Sequence, residues 1–144
     1  MNTRFAVAVH IVTYLASRDG EPATSELVAA SVGTHPALIR RIGAQLARAG
    51  VIRAQRGAGG GAVLARPMAE ITLLDIYSAV GREEHEVIGV HRTGNPCCSI
   101  GRNMQRVLDE RVHAVERAVE RELAGTTVAD LVGAVAEREV SAGI

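Results

Sequence analysis

The 144-residue sequence predicts a mainly α-helical fold that carries one small β-hairpin and a long C-terminal helix. Two stretches carry this prediction. Residues 34–61 give a basic helix, a glycine stop, a short apolar strand and a glycine-rich hairpin, in that order. From Ile100 onward, apolar residues recur at helical spacing for about six turns. A helix that can enter a DNA groove, with a flexible hairpin beside it, is the layout of a winged helix-turn-helix.

Two helices are expected before the basic one. Apolar residues recur at helical spacing over residues 4–17, and the pair Asp19 and Gly20 is expected to end this first helix. A short second helix is expected over residues 25–30. Gly33 then supplies the turn that separates the second helix from the third.

The third helix is expected to be the recognition helix. Thr34 is its expected N-cap, and Pro36 fits its first turn because an N–H there has no helical partner. Gly50 is expected to stop it. Its buried stripe is expected to be Leu38, Ile42, Leu46 and Ala49.

A β-hairpin is expected directly after this helix. Residues 51–56 are expected to form one strand, residues 62–64 the return strand and the glycine run 57–61 the tip. A glycine run can also bind phosphate in a nucleotide-binding enzyme, but that site needs a helix after the glycines. Here a strand closed by Pro67 follows, which favours a wing.

Charge is distributed unevenly along the chain. Residues 1–66 contain eight arginines and three acidic residues, a net charge of +5. Residues 67–144 contain eight arginines and thirteen acidic residues, a net charge of −5. The N-terminal half therefore carries the positive field that contact with DNA phosphates requires. The sequence contains no lysine, which excludes a Walker A loop, a Schiff base and a lysine general base.

The candidate DNA contacts lie mainly on the recognition helix and the wing. The first turn of a recognition helix usually meets base edges, and arginine either reads guanine or holds a phosphate. For any single arginine, a solvated basic face is the alternative. The candidates are Arg4, Thr34, His35, Pro36, Ala37, Arg40, Arg41, Arg56, Gly57 and Gly59.

The C-terminal half predicts three further helices. One starts at Thr72, which with Asp75 forms a capping pair, and a last one is capped by Thr127. Between them the long helix has an apolar seam that the small domain cannot cover, so a two-fold dimer is expected. Such a dimer would place two recognition helices about one DNA turn apart, roughly 34 Å. The expected interface residues are Met104, Leu108, Val112, Val115 and Val119.

Five segments together resemble the IscR/NsrR/CymR family of bacterial winged-helix transcription regulators. They are RFAVAVHIVTYLA, SELVAASVGTHPALIRRIGAQLARAGVI, RGAGGG, ITLLDIYSAV and NPCCSIG, and the resemblance runs from about Arg4 to about Val132. It implies a homodimer that crosses through the long helix and binds double-stranded DNA. It also implies base-reading positions at residues 34–37 and at Arg40, with Arg56 in the wing. A two-fold dimer predicts a palindromic operator, because it reads its half-sites in opposite directions.

The cysteines depart from the pattern of the cluster-binding members. The branch of the family that holds iron-sulfur clusters is expected to use three cysteines in the loop before the long helix. This sequence has two, Cys97 and Cys98, which are neighbours and cannot easily wrap a cluster. An iron-sulfur site completed by His91 or by residues 84–86 is the alternative. The NPxCxxG form is more similar to the cysteine-poor YwnA-type branch, so no cofactor and no metal are expected.

The two thiols are candidate redox or electrophile sensors. A cysteine just before a helix feels the positive end of the helix dipole, which lowers its pKa. If the helix starts near Ser99, either Cys97 or Cys98 has this position, with Ser99 as the N-cap. Alternatively, the pair is inert and packs under the dimer helix, or it chelates a soft metalloid such as arsenic.

The sequence therefore predicts a winged helix-turn-helix DNA-binding domain over residues 1–80, a sensor loop over 81–99, and a dimerisation helix and C-terminal helix over 100–144. The predicted function is a homodimeric transcription regulator, a repressor, that responds to a redox or small-molecule signal. An interaction module without DNA and a small thiol-redox protein are the alternatives from other classes. A cytoplasmic location without membrane contact is expected, because no stretch approaches roughly 20 consecutive apolar residues.

Overall fold

The computed structural model describes residues 3–81 and 87–143, and Glu84, His85 and Glu86 lie outside these residues. Within them the chain forms six α-helices and one two-stranded antiparallel sheet. The elements are α1 (Arg4–Ala16), α2 (Ser25–Val32), α3 (Pro36–Arg48), β1 (Ile52–Gln55), β2 (Gly61–Leu64), α4 (Leu73–Ala79), α5 (Ser99–Ala124) and α6 (Val128–Ser141). A short 3-10 turn over Met68–Glu70 precedes α4. The predicted mainly α-helical fold with a β-wing is confirmed.

Two predicted helix caps are wrong. The N-cap of α3 is His35 and not Thr34, because the residue before a proline is forced into extended backbone, here φ −88° and ψ 141°. The N-cap of α5 is Cys98 and not Ser99, since Cys98 is extended whereas Ser99 already belongs to the helix. Both shifts are of one residue, and both change which side chain lies at the positive end of a helix.

One apolar core lies under the recognition helix. Side chains of α1, α3 and α4 meet in it, together with Val51 and Ile71 from the connecting segments. The buried stripe of α3 is Ile39, Ile42 and Leu46, with Leu38 half-buried. Ala49, predicted in this stripe, is exposed because the helix has ended there and Gly50 (φ +75°) turns the chain away. The outward face of α3 is thus set by a buried face centred on Ile42.

The chain returns to the winged domain after α5. The Leu73 amide donates to the Thr126 carbonyl at 2.9 Å, and the Val128 amide donates to the Ile71 carbonyl at 2.8 Å. These bonds join the start of α6 to the start of α4, and α6 packs against α1. Val128 consequently belongs to the same core as the recognition helix. The division of the chain into segments 1–80, 81–99 and 100–144 stays a prediction.

None of the helices in the described parts of the chain is both long enough and apolar enough to cross a membrane.

Helix α4 begins with the capping box that the sequence predicts. The Thr72 hydroxyl accepts from the Asp75 amide at 3.1 Å, and the Asp75 carboxylate accepts from the Thr72 amide at 2.9 Å. Arg66 donates to the same carboxylate at 3.0 Å. Partial burial acts to raise the pKa of Asp75, but the bonds from Thr72 and Arg66 outweigh it and lower the pKa below its ordinary value of 3.8.

Asp75→Asn should destabilise the protein at neutral pH by about 1 kcal/mol, since a charge-assisted hydrogen bond and a partly exposed ion pair are weakened. Because the pKa of Asp75 is lowered on folding, its contribution is fully present above pH 3.8 and is lost as the pH falls through the folded-state pKa. Urea unfolding of both proteins at neutral pH and near pH 3 measures this difference. The difference in free energy of unfolding between the two proteins should be smaller at the lower pH. An equal difference at both pH values would contradict the assignment.

Candidate DNA interface and thiol site

Helices α2 and α3 form a helix-turn-helix. Thr24 caps α2, and its hydroxyl accepts from the Leu27 amide. Gly33 ends α2 in the left-handed region (φ +80°), and its amide donates to the Ala29 carbonyl at 2.8 Å. Side chains other than glycine rarely adopt that backbone conformation, so Gly33 sets the direction in which α3 leaves the turn.

The first turn of α3 is accessible. His35 and Ala37 are exposed, and Thr34 and Pro36 are half-exposed. A helix N-terminus also presents free amides and the positive end of its dipole, which favours contact with a phosphate. These four predicted DNA-contact residues therefore lie together on one accessible helix end.

Arg40 and Arg41 lie one turn further along α3, and both are exposed. The Arg40 guanidinium forms an ion pair with Glu26 of α2 at 3.3 Å. Their side chains are 58% and 69% exposed, so this pair contributes only about 0 to 1 kcal/mol and can be exchanged for a phosphate contact. Glu26 was not among the predicted site residues, because nothing in the sequence brings α2 against Arg40.

The β-hairpin lies beside the helix-turn-helix as a wing. Ile52 pairs with Leu64 and Gln55 pairs with Gly61, so the tip is the segment 56–60. The exposed residues Arg56, Gly57 and Gly59 lie in this tip. The sequence predicts the two glycines there, whereas it predicts Arg56 as the last residue of the first strand. The observed strands are each within one or two residues of the predicted ones.

A backbone bridge holds the wing in place. The Ala23 amide donates to the Ala62 carbonyl at 3.1 Å, and the Ala62 amide donates back to the Ala23 carbonyl at 2.9 Å. Gly61 lies so close that a Cβ there would be 2.4 Å from the Ala23 carbonyl oxygen. The wing is therefore fixed to the segment just before α2. The sequence carries no signal for this bridge, because it uses only backbone atoms of two alanines.

Arg4 lies apart from these residues along the chain, in the first turn of α1, and is half-exposed. Phe5 beside it forms an edge-to-face contact with Tyr77 of α4, with ring centroids 5.7 Å apart. Arg4 is thus carried by the core helix α1, whereas the other candidates lie on α3, its preceding turn or the wing.

The thiols lie in a compact turn before α5. The Cys97 amide donates to the Asn95 side-chain oxygen at 2.9 Å, and the Cys98 amide donates to the Asn95 carbonyl at 3.2 Å. Arg102 donates to the Pro96 carbonyl at 3.0 Å. Both cysteines are free and exposed in the single chain, and their packing under a dimer helix stays an alternative prediction. The dipeptide Asn95-Pro96 favours a turn, so the sequence could have indicated this one.

Cys98 lies at the N-cap of α5. Its sulfur makes no formal capping hydrogen bond, but the amides of Gly101 and Ile100 point towards it and lower the pKa of the thiol. Solvent reaches this sulfur freely. A thiolate at an accessible helix start is the reactive form of cysteine.

The outer face of α5 is apolar and accessible in the single chain. Met104, Leu108 and Val115 are exposed, and Val119 is half-buried. The sequence prediction assumed that a second helix buries Val112. In the structure Val112 is only 8% exposed, so its burial does not need a second helix. Helix α5 packs against α4 within the chain.

Comparison with known proteins gives a family for this chain. Residues 1–134 match Rrf2, described as a family of iron-dependent transcriptional regulators. YwnA of Bacillus subtilis (strain 168), named as an HTH-type transcriptional regulator, is 40% identical over 131 residues, which cover 91% of this chain and 96% of YwnA.

Solved structures share the fold. A crystal structure described as that of a DNA-binding protein is 36% identical, covers 89% of this chain and 97% of its own, and superposes with a TM-score of 0.71. IscR of T. potens superposes with a TM-score of 0.74 over 96% of this chain and 90% of its own. At 22% identity, the likeness to IscR concerns the fold alone.

The described residues do not fit the iron that the family description implies. Across residues 3–81 and 87–143, no three or more His, Cys, Asp or Glu side chains come together as a metal site. Cys97 and Cys98 are adjacent and His91 is exposed, whereas an iron-sulfur cluster needs ligands that surround it.

Cys98 should react with iodoacetamide faster than free cysteine at neutral pH, because its lowered pKa gives a larger thiolate fraction. The Cys97→Ser variant, which retains Cys98, isolates this thiol, and the Cys98→Ser variant is its control. Mass spectrometry over time gives both rates. A rate for Cys98 equal to that of free cysteine over the whole pH range would contradict the assignment.

Proposed function

The chain belongs to the Rrf2 family of transcriptional regulators, and from this premise we propose that it is a homodimeric DNA-binding repressor that acts in the cytoplasm. One observation carries the proposal. Exposed arginines lie on α3 and on the wing, and the wing is bonded to the segment before α2 and packs against α3. Members of this family are regulators of transcription and not enzymes.

The proposed contacts follow from the position of each group. The first turn of α3 reads base edges in the major groove, and Arg40 contacts a base or a phosphate after leaving Glu26. Arg41 contacts a phosphate of the DNA backbone. Arg56 enters the adjacent minor groove, where the flexible glycines of the tip let the chain follow the DNA surface.

The proposed dimer forms through α5. Ile100, Met104, Val107, Leu108 and Val115 are large apolar residues at helical spacing, and all are at least one-third exposed. A continuous apolar stripe of this kind is unusual on a monomer and favours an interface. A second copy of α5 across a two-fold axis would cover it and would give the palindromic operator its symmetry.

The proposed input is a modification of Cys98. Oxidation or alkylation there adds bulk or charge at the start of α5, the helix that sets the spacing of the two DNA-binding heads. A small rotation at this junction moves both recognition helices out of register with their half-sites.

Arg40→Ala and Arg56→Ala should each weaken operator binding, Arg56→Ala by about 1 to 3 kcal/mol if it enters a groove. Fluorescence anisotropy with an operator duplex over a salt series measures the loss. Binding by the wild type should also fall steeply with salt, because phosphate contacts release counterions. Arg138→Ala, at an exposed position of α6, is the matched control. Undiminished binding of both variants would refute the DNA assignment.

Val115→Glu should give monomers or aggregates, because the substitution buries an unpaired charge in the proposed interface. Light scattering at micromolar concentration reports the assembly. Val140→Glu introduces the same charge at the end of α6, where Val140 is 79% exposed, and should leave the dimer intact. A folded monomeric wild type would contradict the dimer.

An oxidant or alkylating agent should weaken operator binding of the wild type but not of the Cys97→Ser, Cys98→Ser double variant. The reason is that both cysteines of the sequence lie exposed at the start of α5. Operator titrations before and after treatment give the comparison. If the double variant loses binding equally, the thiols are bystanders and the signal acts elsewhere.

A further inference from the structure

A cavity of about 400 Å³ lies between α2, α3 and the wing. Its floor consists of buried apolar side chains: Ile11, Val28, Ile39 and Ile52. Small residues of α3 line one wall, and residues of β1 line the opposite one. The cavity therefore opens between the two elements that the proposed function assigns to DNA.

The protein's own side chains leave this space open. The wall on α3 is formed by Gly43, Ala44 and Ala47. A Cβ built on Gly43 meets no atom closer than the Ile52 Cδ1 at 3.9 Å, which is ordinary contact. An opening of this size with an apolar floor is the form of a small-molecule site, for which volumes of about 300 to 1,000 Å³ are usual.

The rim of the cavity carries positive charge. Arg40 and Arg53 both line it, and both are exposed. Glu26 neutralises Arg40 at 3.3 Å. Within the described parts of the chain no carboxylate forms an ion pair with Arg53. An anionic group at the rim would therefore find one guanidinium without a competing partner.

We propose that this cavity binds a small amphipathic anion. The apolar body of the ligand lies against Ile39, Ile52 and the alanines of α3, and its carboxylate accepts hydrogen bonds from Arg53 at the rim. An aromatic carboxylate meets both requirements, since it combines a flat apolar body with one charge.

Occupancy would act on DNA through charge. The bound ligand brings a negative charge to a rim that also carries Arg40, which the proposed function assigns to DNA, so it disfavours contact with a phosphate there. This consequence rests on the proposed function, whereas binding of the ligand does not. The two are separated by measuring binding on the protein without DNA.

The test uses the naphthoate anion as the probe, titrated into the full chain by calorimetry and by amide NMR spectra. One molecule per chain should bind, with shifts at the amides of Gly43 and Ala54. Ala47→Leu places a larger side chain in the cavity from an exposed position and should weaken binding at least about tenfold. Ala30→Leu, the same change at an exposed position of α2 outside the cavity, should leave it unchanged.

The contribution of the Arg53 charge to binding is tested by comparing naphthoate with an uncharged probe. Arg53→Ala should weaken naphthoate about tenfold but should alter binding of neutral naphthalene methanol less than about twofold. Equal melting temperatures of the variants exclude unfolding as the cause, and Ala44→Leu provides a second filling variant. No saturable naphthoate binding, or binding that Ala47→Leu and Ala44→Leu leave unchanged, would overturn the proposal. Saturable binding without any effect on the operator would retain the site and refute its link to DNA.

Discussion

The position of the wing depends on two backbone hydrogen bonds between Ala23 and Ala62. A two-stranded hairpin by itself is marginally stable in water, so it needs a third partner. Here that partner is the segment just before α2, which belongs to the helix-turn-helix itself. Gly61 makes the approach possible, because any Cβ there would overlap the Ala23 carbonyl. This contact sets the distance from α3 to the wing together with the direct packing of β1 against α3.

The basic groups lie on the surface that this contact organises. The N-terminal half carries a net charge of +5 and the remaining half −5, although the whole chain is neutral. A charge separation of this kind orients a protein in the field of DNA before any contact forms. The core beneath α3 contains no buried charged side chain among the described residues, so the arginines stand on apolar packing that does not depend on them.

The two proposed inputs, thiol modification and ligand binding, act at different places in the fold. The thiols lie at the start of α5, which connects the winged domain to its proposed partner. The cavity lies inside the winged domain, between α3 and β1. Helix α6, which follows α5, packs on α1, and α1 also packs against α3. In the proposed function, this chain of contacts would carry a shift of α5 to the DNA-binding surface.

The sequence by itself determined the features that depend on a few neighbouring residues. The helix caps at Thr72 and Thr127, the turn at Gly33 and the wing hairpin were all predicted, because caps and turns are local in origin. Only the tertiary structure decided that Val112 is covered within one chain, that Glu26 meets Arg40 and that Ala23 holds the wing. Each of these joins segments far apart in the chain, and periodicity records which face of an element is buried but not what covers it.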